Sequence, residues 1–332
     1  MSLETIYVVR HGFRCTWSVN PVTGETTASI LSPTGIPADP PLTAHGVDQS
    51  KELATHLIAL EKPIDAVYSS PYYRCLQTIS PFVKRTNDRR RSSSEDGGGA
   101  LSPLTVRAER GISEFFGTAH FDHPVPADKP LLQRLFPEIN EAYQSRVVPC
   151  RRGESIEDLY GRVRSAVENI IEQCDAEGHR TVILCTHAAV VIALGRVLTG
   201  EFPKTVDVED FGAFTCGLSK FRRPKPDPEL GHGVSEESRG GLATGAMENG
   251  CRQAPNGCSV AGGGMQNTGN WVCEANSDCS FLSGGQERGW SFSGDEAFDP
   301  GDRILAAGGV GQNLTNGIAA VRSRSRTGSS RL

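Results

Sequence analysis

The fold is decided by Ile6-Tyr7-Val8-Val9-Arg10-His11-Gly12, in which an apolar run leads directly into two basic residues and a glycine. A second stretch, Val182-Ile183-Leu184-Cys185-Thr186-His187-Ala188, repeats the order of an apolar run and then a histidine. Such runs are typical of buried strands in a parallel sheet. Ligands of open α/β sheets bind in the crevice beyond the carboxyl ends of the strands. We therefore expect His11 and His187 to lie at the same edge of one sheet.

Helix signals occur between and after these strands. Thr43 is a suitable N-cap for a helix over residues 44–60, and a short strand follows at residues 64–68. Ser69-Ser70-Pro71 then opens another helix, which places Arg74 on its first turn, again just beyond the end of a strand.

Residues 155–177 form the clearest helix, because they have a capping box at the start, an apolar stripe and a glycine at the end. A strand and a helix are then predicted over residues 181–186 and 188–199.

The composition restricts the classes of protein to which the chain can belong. Its 332 residues carry a formal net charge of -5, so no basic field indicates binding to nucleic acid or to an acidic membrane. No stretch approaches the length of a membrane span, and the N-terminus enters a strand without a signal peptide, so we expect a cytoplasmic or nuclear protein. The ten cysteines are expected to be free thiols, and the spacing of the last four does not match a zinc site. No metal and no cofactor are predicted.

Four segments fall outside the alternation of strands and helices. Residues 14–41 are polar and turn-rich, which predicts a long loop. Residues 86–102 have low sequence complexity and are expected to form a disordered insertion. Residues 224–269 are expected to be a disordered linker, and residues 301–332 a disordered basic tail.

Residues 270–300 are expected to be an aromatic docking segment. Two short runs on either side of Ser283-Gly284-Gly285 could pair as a β-hairpin, but they hold too few apolar residues for an independent core. Trp271, Trp290 and Phe292 must therefore cover either the main domain or a separate protein. We expect a separate protein partner, because a long segment loosens the connection to the main domain.

The residues at the predicted strand ends suit a phosphate site. Gly12 lets the chain turn sharply and lets an anion approach the backbone. Arg10 and Arg74 offer planar forks of donors that match phosphate oxygens. Either histidine alone is as readily explained as a hydrogen-bonded residue at the sheet edge. Two arginines and two histidines at one edge favour a pocket that binds a phosphoryl group without a metal ion.

Four motifs follow one another along residues 5–220. They are Arg10-His11-Gly12, Leu42-Thr43-x-x-Gly46-x-x-Gln49, Ser69-Ser70-Pro71-x-x-Arg74-x-x-Gln77-Thr78 and Thr186-His187-Ala188. In this order they resemble the signatures of the histidine phosphatase superfamily, the phosphoglycerate mutase-like proteins. The resemblance implies a doubly wound α/β domain over residues 1–223, with a mostly parallel sheet and helices on both faces.

The resemblance also implies roles for individual residues. His11 would be the nucleophile that takes the phosphoryl group, and Arg10, Arg74 and His187 would clamp the phosphate oxygens. The family needs a general acid for the leaving oxygen, and Glu114 matches that position. We expect the aromatic pair that follows Glu114 to raise its pKa by desolvation, which suits an acid.

Arg14 indicates which branch of the superfamily the chain resembles. It follows His11 by three residues and resembles the Arg-His-Gly-x-Arg variant of the ubiquitin-associated, SH3-containing tyrosine phosphatases, which implies that it joins the phosphate pocket. The chain also resembles the phosphatase-like subunit of fungal TFIIIC, the tau complex. These resemblances imply a metal-independent phosphomonoesterase that acts through a phosphohistidine intermediate, with a phosphoprotein as candidate substrate. The alternative is a scaffold subunit that holds a TFIIIC partner through residues 270–300. A small-molecule phosphatase or phosphoglycerate mutase is a weaker alternative.

Overall fold

The computed structural model describes residues 2–95, 102–224 and 270–292, which contain eight strands and five α-helices. The strands are β1 (Thr5–Arg10), β2 (Trp17–Val19), β3 (Thr26–Ala28), β4 (Ala66–Ser69), β5 (Val106–Ala108), β6 (Thr181–Thr186), β7 (Leu218–Arg222) and β8 (Val272–Asp278). The helices are α1 (Ala44–Ile58), α2 (Tyr73–Glu95), α3 (Lys129–Leu135), α4 (Ile156–Glu177) and α5 (Ala188–Thr199), and a 3-10 turn lies at Arg110–Ile112.

A six-stranded sheet in the order β5-β4-β6-β1-β7-β8 forms the centre of the fold. Strands β5, β4, β6 and β1 run parallel, whereas β7 pairs antiparallel with β1 and β8 pairs antiparallel with β7. In the register of β1 and β6, Arg10 pairs with Thr186, so the two strands end at the same level. His11 and His187 therefore follow at the same edge of the sheet, as expected, and the predicted mostly parallel α/β fold is confirmed.

The two faces of the sheet carry separate cores, because neighbouring residues of a strand point to opposite faces. Ile6 and Val8 of β1 pack in the core formed with α4 and α5, while Tyr7 and Val9 pack in the core formed with α1 and α2. Residues 182–185 of β6 alternate between the same two cores. Helices thus cover both faces, and a ligand reaches the sheet at the strand ends.

Local signals in the sequence set the helix boundaries. Thr43 begins α1, because its hydroxyl oxygen accepts a hydrogen bond from Gly46 N. Ser155 and Asp158 form the capping box that begins α4. Gly178 ends this helix with a φ of 75°, a left-handed conformation that glycine adopts without a steric penalty.

Two segments that were expected to be irregular contain secondary structure. Within residues 14–41, β2 and β3 pair antiparallel as a hairpin. The predicted disorder of residues 86–102 is wrong at the start of this range, because α2 continues to Glu95. Asn87 fixes this part of the helix. Its side-chain amide donates to the Leu104 carbonyl at 2.9 Å and accepts from Leu104 N at 2.7 Å.

The aromatic segment joins the main domain over the part that the structure describes. β8 extends the central sheet by pairing with β7. Trp271 and Phe292 are only 4% and 6% exposed, and both lie in the core formed with α4 and α5. The structure therefore contradicts the expectation of a hairpin whose aromatic residues are covered by a separate protein. For residues 270–292, the covering surface is the domain itself.

Other predicted segments lie outside the described residues. They comprise the rest of the insertion (96–101), the linker from residue 225 to 269, the end of the aromatic segment (293–300) and the tail (301–332). Among the helices that the structure describes, none is both long enough and apolar enough to cross a membrane.

Candidate active site

His11 directly follows β1 and is 2% exposed. Its Nδ1 lies 2.8 Å from the carbonyl oxygen of Gly12. Because a carbonyl only accepts hydrogen bonds, Nδ1 carries the proton, and Nε2 of the neutral ring keeps its lone pair. Burial lowers the pKa of His11 well below its ordinary value, and the charges of Arg74 and Arg10 lower it further. His11 is therefore a neutral imidazole whose Nε2 can act as a nucleophile.

Residues of the second and third motifs hold the loop that follows this histidine. Gly12 N donates to Thr78 Oγ1 at 3.0 Å, and Phe13 N donates to Gln49 Oε1 at 2.9 Å. Gly46 lets the start of α1 touch the loop, since a Cβ there would lie 2.1 Å from the carbonyl oxygen of Phe13. These contacts give the motif residues a physical role, which is to fix the backbone of the nucleophile loop.

Arg74 lies on the first turn of α2 and is fully buried. Its Nη1 donates to Asp39 Oδ1 at 3.3 Å, and its Nη2 donates to Glu114 Oε2 at 2.9 Å. Burial raises the pKa of Asp39 to about 6, although the Arg74 charge opposes this rise. Nε of Arg74 is buried and makes no hydrogen bond within the described residues, so one donor of this guanidinium is left unsatisfied.

Glu114 connects Arg74 to His187. Its Oε2 lies 3.1 Å from His187 Nδ1, while His187 Nε2 lies 2.8 Å from Ser70 Oγ. Burial lowers the pKa of His187, but its interactions with Cys75 and with the Glu114 carboxylate outweigh this and raise it. Burial raises the pKa of Glu114, but His187 and Arg74 outweigh this and hold it well below its ordinary value. The expected rise of the Glu114 pKa is therefore wrong, because the two cations outweigh desolvation.

Arg10 is 3% exposed, and the main chain fixes its position. Its Nη1 donates to the carbonyl oxygen of Ala213 at 2.7 Å and also to the carbonyl oxygen of Arg288. Because a carbonyl cannot rotate away as a side chain can, these bonds hold the guanidinium in one place beside His11.

Arg14 lies farther from the centre of the site and is half-buried. Its Nη1 donates to the carbonyl oxygen of Cys15 at 3.2 Å, and its guanidinium carbon lies 6.0 Å from the centre of the Trp17 ring. Its charge still contributes to the lowered pKa of His11. This places Arg14 at the rim of the site, within electrostatic reach of the nucleophile.

The assembled pocket suits an anion better than a metal ion. The rings of His11 and His187 have centroids 5.4 Å apart. His11, Glu114 and His187 offer ligand atoms within 4.8 Å of one another, so their spacing alone would allow a metal ion. Arg10 and Arg74 bring two permanent positive charges to the same place, which repel a cation and attract an anion. The charge balance therefore favours a ligand such as phosphate.

Several supporting residues were missed by sequence reasoning. Asp39, which orients Arg74, lies in a loop rich in proline and glycine that has no periodic signal. Ser70 belongs to a motif, but only the structure shows that it touches the second histidine. Arg288 lies 278 residues along the chain from Arg10, and no local pattern links the two.

The family profile of the histidine phosphatase superfamily (branch 1) matches residues 6–95 and 127–230. The chain belongs to this superfamily. The matched parts include β1, α2, β6 and the helices that place the two histidines and Arg74 at the sheet edge. Glu114 lies between the two matched parts, and β8 lies beyond them.

Individual relatives are similar over different shares of their length. The chain is 29% identical over 300 residues to the Transcription factor tau 55 kDa subunit of Saccharomyces cerevisiae. This alignment covers 88% of this chain and 59% of the yeast protein. The chain is also 26% identical over 180 residues to the Ecdysteroid-phosphate phosphatase of Drosophila melanogaster. This second alignment covers 53% of this chain and 22% of the fly protein. The crystal structure of the ecdysone phosphate phosphatase from Bombix mori in complex with tungstate covers 75% of this chain and 98% of its own, with 19% identity and a TM-score of 0.46. The chain thus spans less than two thirds of the length of the curated relatives that it matches.

Proposed function

We propose that the protein is a phosphomonoesterase that needs no metal ion and acts through a phosphohistidine at His11. The observation that carries the proposal is the neutral, buried imidazole of His11 beside the cationic groups of Arg10, Arg74 and His187. The nucleophile must be unprotonated, and the phosphoryl group needs fixed donors for its charge. This pocket supplies both the unprotonated nucleophile and the fixed donors.

Glu114 changes its partners when phosphate binds. Its carboxylate occupies donors of Arg74 and His187 that a phosphate oxygen would use. A phosphate dianion displaces the carboxylate from these donors and then lies beside it. Each of two neighbouring anions raises the pKa of the other, so Glu114 takes up a proton on binding. In this protonated form Glu114 can act as the general acid.

The chemistry then proceeds in two displacements. Nε2 of His11 attacks phosphorus, the ester P–O bond breaks, and Glu114 gives its proton to the leaving oxygen. The ring gains positive charge, which the bond from its Nδ1 proton to the Gly12 carbonyl stabilises. Water next attacks phosphorus and gives a proton to Glu114, and the P–N bond breaks to release phosphate. Arg10 and Arg74 stabilise the charge on the phosphoryl oxygens in both steps.

Turnover of p-nitrophenyl phosphate by the full chain tests this proposal. We expect activity that EDTA does not reduce, and a trapped phosphoenzyme that is labile in acid and stable in base. His11→Ala should abolish turnover and the trapped label with little change in Tm. The control is His179→Ala, at a histidine that pairs with Glu177 beyond the site. This variant should keep both the turnover and the trapped label. Wild-type turnover by His11→Ala, or activity restored by a divalent metal after EDTA, would contradict the mechanism.

Aromatic rings beside the pocket support a substrate with an aromatic leaving group, such as phosphotyrosine in a protein. The ring of Tyr72 lies 5.3 Å from that of His187, and the ring of Phe116 lies 6.5 Å from Tyr72 and 6.3 Å from Trp17. Such a wall can pack against an aryl group. A phosphotyrosine peptide should then have a higher kcat/KM than the same peptide with phosphoserine, and equal values would contradict this substrate class.

A second candidate function is a scaffold within transcription factor TFIIIC. It is favoured by the similarity to the tau 55 kDa subunit, which extends over 88% of this chain. This function predicts a nuclear protein that co-purifies with TFIIIC subunits from its native cell. Because a scaffold needs no nucleophile, His11→Ala should leave co-purification intact. Absence of these subunits from the purified full chain would exclude the scaffold role.

A further inference from the structure

Arg10 is held by a part of the chain that lies beyond the family match. One carbonyl that accepts from its Nη1 belongs to Ala213, within the match, and the other belongs to Arg288. Arg288 lies in residues 279–292, which follow β8 and which we name the closing segment. The closing segment therefore contributes directly to the position of a phosphate-binding arginine.

The surroundings, and not the local preference of the backbone, place the Arg288 carbonyl. Arg288 has a φ of 44°, in the left-handed region that residues other than glycine rarely adopt. Such a conformation persists only where neighbouring contacts determine it, and it is concentrated at functional sites. The guanidinium carbon of Arg288 lies 3.9 Å from the centre of the Phe13 ring. On the other side Gly289 packs against Phe214, since a Cβ on this glycine would lie 2.8 Å from the ring.

Glu287 makes the contacts that fix this turn. Its Oε2 accepts from Gln49 Nε2 at 2.9 Å and lies 2.6 Å from His45 Nε2. Its carbonyl oxygen accepts from Thr215 N at 3.1 Å. The same Gln49 accepts from Phe13 N with its other amide atom. Glu287 is thus bonded to α1 and, through Gln49, to the nucleophile loop, and it directly precedes the carbonyl that holds the arginine.

We infer that Glu287 is a positioning residue for Arg10. By joining the closing segment to Gln49 and His45, it sets the Arg288 carbonyl where the guanidinium of Arg10 needs its acceptor. The inference rests on the proposed function, because the position of Arg10 matters to the reaction only if the pocket receives a phosphoryl group. A small displacement of a group that orients a substrate lowers binding and rate together.

Calorimetric titration of the full chain with inorganic phosphate tests this role without requiring turnover. Glu287→Ala should weaken phosphate binding by about tenfold and lower kcat/KM for p-nitrophenyl phosphate at least as much. Glu287→Gln keeps an oxygen that accepts from Gln49, so it should recover most of the affinity. Glu274→Ala is the matched control, because Glu274 also has a side chain that is 28% exposed and pairs with Lys220 on the neighbouring strand. It should keep the wild-type phosphate affinity.

The outcomes separate the inference from the proposed function. Wild-type phosphate affinity in Glu287→Ala, or an equal loss in Glu274→Ala, overturns the positioning role. If Glu287→Ala does not fold, Glu287→Asp replaces it, and unchanged affinity in that shorter carboxylate overturns the role as well. A wild-type protein that binds phosphate without turnover or a trapped phosphohistidine contradicts the proposed function alone, and the affinities of the variants still decide the inference. A wild-type protein that binds no phosphate overturns both.

Discussion

Trp271→Ala measures how much the segment after residue 269 stabilises the phosphatase-like domain. Trp271 is 4% exposed, and the guanidinium carbon of Arg223 lies 5.2 Å from its ring. Its main-chain N donates to the Leu198 carbonyl at 3.0 Å, a bond that alanine retains. Replacing a buried tryptophan by alanine costs about 3–5 kcal/mol, and the lost cation–π contact belongs to that cost. We expect the free energy of unfolding to fall by about 4 kcal/mol.

Thermal and urea unfolding followed by circular dichroism measure this loss. In a domain of this size each kcal/mol lowers Tm by about 2–4 °C, so the expected decrease is about 8–16 °C. Val272→Ala is the matched control, because it changes the next residue along the chain, which is 49% exposed. Its effect should stay within about 0.5 kcal/mol. A Trp271→Ala protein as stable as Val272→Ala would refute the conclusion that the segment packs in the domain core.

Two further predictions concern the charges of the pocket. Arg74→Met should lower the free energy of unfolding by about 3–5 kcal/mol at neutral pH, because Asp39 and Glu114 lose the buried cation that they share. This deficit should shrink as the pH falls and the two carboxyl groups take up protons, so a deficit that does not vary with pH in urea titrations would contradict the pairing. Tungstate, a dianion that mimics phosphate, should bind more weakly as the pH rises from about 6 to about 8, because its binding requires the ionised Glu114 to take up a proton. Calorimetry in buffers of different ionisation enthalpy counts the protons that are taken up on binding. If the tungstate affinity of Glu114→Gln still depends on pH, Glu114 is not the group that takes up the proton.

The three neighbouring strands β4, β6 and β1 could be predicted because their signals are local. β1 and β6 are continuous apolar runs, and α4 has its capping box and terminal glycine within its own sequence. β5, β7 and β8 could not be predicted in the same way. Their residues are mixed in polarity, and they are strands because a neighbouring strand supplies the hydrogen bonds. The helical start of residues 86–102 was missed because Asn87 is fixed by a tertiary contact with Leu104.

The residues of the site differ in the same way, because some could be predicted from the sequence and others could not. Residues at strand ends, such as His11 and His187, could be predicted because the topology brings every parallel carboxyl end to one edge. The protonation state of Glu114 could not, because it depends on a balance between burial and the distances to two cations. Asp39 and Glu287 could not be predicted either, since each acts on a residue far along the chain through contacts that only the folded structure creates.

The contacts of residues 270–292 determine which experiments can test the catalytic residues separately from the fold. A chain that ends at residue 224 would lack β8, the buried Trp271 and the carbonyl of Arg288. It would lose core packing and an acceptor for Arg10 together. Inactivity of such a chain would therefore not count against the nucleophile. Full-length His11→Ala removes the nucleophile and leaves Arg10 held, whereas full-length Glu287→Ala loosens Arg10 and leaves the nucleophile. If both roles are correct, the first variant still binds phosphate but does not turn over substrate, and the second loses affinity and rate together.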